Sequence, residues 1–145
     1  MVEQTIPGEL IALTTFPGIM VHELAHWFAC RLTRTPVHKL CLFQPENPYG
    51  YVVHALPTHP LKQLVIGVAP VLVNSLLAIL LSCWVGDRFL LDLPWYSLFG
   101  VWLALSIGMH AFPSEVDVSH TWAAIHNEQM PLFFKVTSYP LVAMM

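Results

Sequence analysis

The chain has 145 residues, 56 % of them apolar and 10 % charged, with a formal net charge of −3. Soluble domains carry about a quarter of their residues as charges, so this balance points to a membrane. Six Lys and Arg are too few to neutralise a row of phosphates, which removes nucleic acid as an expected partner.

The length fits a single domain over 1–145. Three apolar stretches approach the roughly 20 residues that a helix needs to cross about 30 Å of hydrocarbon: Leu10 to Cys30, Leu64 to Val85 and Pro94 to Phe112. The first carries His22, Glu23 and His26 within it, and Pro17 and Gly18 stand just before them, where they can bend the span or admit a neighbouring helix closely. Between the first and second stretches, Val37 to Phe43 and Tyr51 to Ala55 are β-prone runs joined by a turn-rich connector, which predicts a hairpin. Beyond Ser114 a short polar helix is expected to about Gln129, followed by an apolar tail broken by Lys135 and Pro140. The predicted fold is therefore a membrane all-α protein, with a three-helix transmembrane core, a short cytosolic β-hairpin and a C-terminal helical tail.

Arg31, Arg34, Lys39 and Lys62 all fall between the first two stretches, whereas the next loop has only Arg88 beside Asp87 and Asp92. Positive charge marks the cytosolic side, so the hairpin and the end of the third span are expected there. The expected protein is integral and multi-pass, with its active site near the cytosolic side and lipid around it. Cys30, Cys41 and Cys83 are odd in number and widely spaced, which fits reduced packing residues.

Eight histidines are many for so apolar a chain, because a buried imidazole needs a hydrogen-bond or metal partner. His22 and His26, four apart on a helix, share a face and can meet one metal ion. Glu23 is offset by one residue, from where its carboxylate can take a proton from a water in the open coordination position. Zinc suits two imidazoles, a carboxylate and an open position. An acidic residue at mid-span costs on the order of 3 kcal/mol to insert, so these groups are functional candidates by their location. A third ligand must come from His110, Glu115, Asp117 or His120 at the end of the third span. Ser114 and Asp117 also have the form of a capping box, which offers Asp117 a purely structural role.

In this order of motifs the chain resembles the site-2 protease family of intramembrane metalloproteases, over roughly Leu10 to Asp117. His22-Glu23-Leu24-Ala25-His26 matches the family's first motif, and the segment from Gly67 to Asn74, including Pro70, is similar to its second helix. His110 to Asp117 is a looser version of its third, with His110 where the family often has Asn and no Gly after the Asp, as in a divergent branch. The resemblance implies that Asp117 is the third zinc ligand and that Asn74 positions substrate backbone. It implies hydrolysis of peptide bonds in membrane-embedded or membrane-adjacent substrates by a zinc-activated water, with Glu23 as general base and the hairpin edge receiving the substrate as an added strand. The alternative reading is a non-proteolytic metal-binding membrane protein, either a degenerate relative or a metal-dependent oxidoreductase; Glu23 favours the enzyme, because a pure binding site needs no acid at that offset.

Overall fold

The computed structural model describes residues 8–89 and 95–144, and the outer loop expected around Asp92 lies outside them. The chain is mostly helical with one two-stranded antiparallel sheet. Its order is α1 (Gly8–Thr14), α2 (Phe16–Leu32), β1 (Val37–Cys41), β2 (Tyr51–His54), α3 (Pro60–Phe89), α4 (Trp95–Met109), α5 (Glu115–His126) and α6 (Leu132–Met144).

The first apolar stretch is broken at Thr15 into α1 and α2. Pro17 has no N–H for the carbonyl four residues back and fits the first turn of a new helix, so the chain restarts there. Ser106 bridges the break, its Oγ accepting from Gly18 N–H and donating to Thr15 O, both at 2.9 Å. Gly18 also allows the crossing with α4, since a Cβ there would lie 2.0 Å from Ser106 O. α2 ends where Arg34 adopts a left-handed φ of 56°, letting Thr35 N–H reach back to Cys30 O at 2.8 Å.

The hairpin forms as expected and slightly shorter, pairing Cys41 with Tyr51 and Leu40 with Val52, with a bulge between Val37 and Lys39. α3 is the long central element and touches α2, α4 and α5. Among the described residues it is the one helix long and apolar enough to cross a membrane unaided, over Pro60–Gly86. The third expected span gives a helix of only 15 residues, about 22 Å at 1.5 Å per residue. Its predicted end at Phe112 runs past the helix, because Ala111 to Pro113 turn toward Ser114, the cap of α5.

Two clusters hold the hairpin end of the helices together. Ala29 and Cys30 of α2 pack on Ile66 of α3, with Val37 of the hairpin beside them. Leu64 and Val68 of α3 pack on Ala124, Ile125 and Met130, fastening α5 across the same end of α3. Burying side chains such as Leu64 and Ile125 contributes about 2 kcal/mol each. The three cysteines are free thiols, with Cys83 exposed.

Candidate metal centre

The middle of α2 and the first turn of α5 bring together His22, His26 and Asp117, whose candidate ligand atoms all lie within 4.8 Å of one another. Helical spacing brings the two imidazoles together, with Nε2 to Nε2 at 3.2 Å. Asp117 approaches from the first turn of α5, with Oδ1 3.2 Å from His26 Nε2 and Oδ2 3.5 Å from His22 Nε2. Of the four candidates for a third ligand, Asp117 is the one in this cluster.

The other ring nitrogens decide what those Nε2 atoms can do. His22 Nδ1 is 2.8 Å from His110 O, and His26 Nδ1 is 3.0 Å from Ile66 O. A carbonyl only accepts, so each Nδ1 carries a hydrogen and each Nε2 of a neutral ring presents a lone pair. Two lone pairs and a carboxylate facing one another call for a cation between them. The spacing fits one: zinc bonds of about 2.0–2.1 Å in tetrahedral arrangement place ligand atoms about 3.3 Å apart.

Asp117 also closes a capping box on α5. Its Oδ2 accepts from Ser114 N–H at 3.0 Å and Ser114 Oγ–H at 2.7 Å, while Ser114 Oγ accepts from Asp117 N–H at 3.2 Å. One carboxylate thus makes the cap and also stands where the other role read from the sequence, a metal ligand, would need it. Burial pushes its carboxyl up, but when His22 and His26 carry a second proton, on Nε2, their hydrogen bonds and that of Ser114 outweigh this and hold it well below the usual carboxylate range; a bound cation would take the place of those protons.

α5 reaches this position because Gly67 leaves room for it. A Cβ on Gly67 would lie 2.1 Å from Thr121 Oγ1 and 3.6 Å from Asp117 O. Thr121 is fully buried and donates its hydroxyl to Asp117 O at 2.6 Å.

Glu23, nearly buried, shares with His22 a cleft of about 270 Å³ that Ile19, Tyr49, Gly50, His110 and Ser114 also line. The loop entering β2 closes over Glu23 at Gly50, where a Cβ would meet Glu23 Cγ at 2.8 Å. His110 turns its Nε2 to Thr15 Oγ1 at 2.9 Å and contributes its carbonyl to His22. His120 and Glu115 are exposed on α5, and His120 O accepts from Gln63. Asn74 is fully buried behind the centre, its amide donating to carbonyls of α2 and of the α4 end. The carbonyls of Ile66 and His110 were absent from the sequence reading, since a backbone acceptor has no side-chain signature.

No protein-family model, curated protein or solved structure matches this chain.

Proposed function

We propose that the protein is an intramembrane zinc metalloprotease, a divergent member of the site-2 protease family, acting on peptide bonds of membrane-embedded or membrane-adjacent segments. The observation that carries this reading is the convergence of His22, His26 and Asp117 at zinc-ligand spacing beside Glu23 in one cleft. Lipid accounts for the outward face of α3, where Leu72, Leu76, Ile79 and Leu80 are all more than half exposed. On this reading α2, α3 and α4 form a three-helix membrane core. Arg31, Arg34, Lys39 and Lys62 follow His26 in the chain up to the start of α3, and this run of positive charge supports a centre near the cytosolic side.

Zinc, when bound, supplies a Lewis acid and lowers the pKa of a coordinated water to about 7. Glu23 is the group in the cleft free to move protons: it takes one from the attacking water and returns it to the leaving amine. The low-dielectric surroundings of the cleft strengthen its electrostatic contacts. Val52 and Val53, following Gly50 on β2, give an extended substrate a strand to pair with at the cleft mouth.

Glu23→Gln tests the assignment, because it keeps the side-chain shape and removes the base. The variant is expected to bind zinc as wild type does and to cleave a model membrane peptide at least roughly 100-fold more slowly. Undiminished cleavage by this variant would refute the role given to Glu23.

A further inference from the structure

Each imidazole at the centre rests its Nδ1–H on a main-chain carbonyl, and the interior of an α-helix has none to spare, since every carbonyl there accepts from the N–H four residues on. His26 nevertheless donates to Ile66 O, about two turns inside α3. The residue four beyond Ile66 is Pro70, fully buried inside the helix and without an N–H. Pro70 leaves the Ile66 carbonyl without its helical donor, and His26 takes that donor's place.

His22 finds its carbonyl differently. His110 lies just past the last residue of α4, where carbonyls have no helical partner. Asn74, one turn along α3 from Pro70, directs its Nδ2 to His110 O at 3.0 Å, to Ile107 O at 3.3 Å and to Gly18 O at 3.3 Å. It is thereby bonded to the same oxygen that receives His22 Nδ1, and it ties that oxygen to α2 and to the end of α4.

We propose that Pro70 and Asn74 are positioning residues of the metal centre, Pro70 by freeing the carbonyl that orients His26 and Asn74 by holding the carbonyl that orients His22. A histidine ligand needs such a partner on its second nitrogen to fix tautomer and ring direction, and losing it costs about 10- to 100-fold in metal affinity. Asn74 on this account acts on the ligands and not on substrate backbone. The proposal rests on the metal reading of His22 and His26.

The experiment measures zinc affinity by competition with a chromophoric chelator, and apo-protein melting, for the detergent-purified wild type, Pro70→Ala, Asn74→Leu and Ser106→Ala. Ser106→Ala serves as the packing control, because it cuts another tie between α2 and α4 without touching either His-to-carbonyl bond. Pro70→Ala restores an N–H to Ile66 O and a better helix former to α3. Its apo form is expected to melt at or above the wild-type temperature while zinc affinity falls at least about 10-fold. Asn74→Leu should lose zinc affinity by a similar factor, and Ser106→Ala should keep it.

Wild-type zinc affinity in Pro70→Ala overturns the role of that residue even if Asn74→Leu proves unstable. Unchanged zinc affinity with a raised KM in Asn74→Leu returns Asn74 to the substrate. An equal loss in Ser106→Ala reduces the effect to packing. A wild-type chain that binds no zinc would remove the metal reading itself, and the proposal with it.

Discussion

Gly67→Ala should damage the metal centre from outside it. The added Cβ would stand 2.1 Å from Thr121 Oγ1, whereas ordinary contact begins near 3.4 Å, so about 1.3 Å must be found. Thr121 cannot easily supply it: the residue is fully buried, its χ1 is restricted in a helix, and its hydroxyl is committed to Asp117 O. The displacement therefore passes to α5, whose first turn carries Asp117. Metal sites tolerate about ±0.2 Å in ligand distance, so even a fraction of that shift exceeds what zinc accepts. Zinc affinity is expected to fall at least about 10-fold, and overpacking should cost about 1–3 kcal/mol of stability. Adding Thr121→Ala removes the obstructing oxygen, leaves the two β-carbons at 3.4 Å, and should restore most of the affinity. Chelator competition on the wild type, the single variants and the pair decides the matter. Wild-type affinity in Gly67→Ala, or no recovery in the pair, would refute the claim that this glycine sets the position of Asp117.

The two roles of Asp117 separate by substitution: Ser114→Ala should cost about 1 kcal/mol of stability through the lost cap and retain zinc, whereas Asp117→Ala should lose both the cap and at least about 10-fold in zinc affinity. Metal titration and melting of the two variants side by side check this, and retention of full affinity by Asp117→Ala would exclude it as a ligand. For the orientation, cysteines placed singly between Arg31 and Lys62 in an otherwise cysteine-free chain should be protected from an impermeant thiol reagent in intact cells. Labelling of those positions from outside would invert the topology.

What the sequence made legible followed from side-chain identity and spacing. His22, Glu23 and His26 are readable because a helix puts positions four apart on one face; depth narrowed the third ligand to His110, Glu115, Asp117 or His120, and the resemblance singled out Asp117. Pro17 and Gly18 were visible as a bend and a close approach, and they serve as both: Pro17 restarts the helix and Gly18 meets Ser106. The length of the third helix was misjudged because Ala111 and Phe112 continue the apolar composition after the hydrogen bonding of α4 has ended. Asn74 was assigned to substrate by resemblance, while its burial and its three carbonyl partners depend on how α2 and α4 cross α3. The orienting carbonyl of Ile66 left only one mark in the sequence, the proline four residues later.

The central claim is that His22, His26 and Asp117 bind one zinc ion, and elemental analysis of detergent-purified protein tests it most directly. One equivalent of zinc per chain is expected in the wild type and none in His22→Ala/His26→Ala; a metal-free wild type reconstituted with excess zinc, or a double variant that holds a full equivalent, would contradict it.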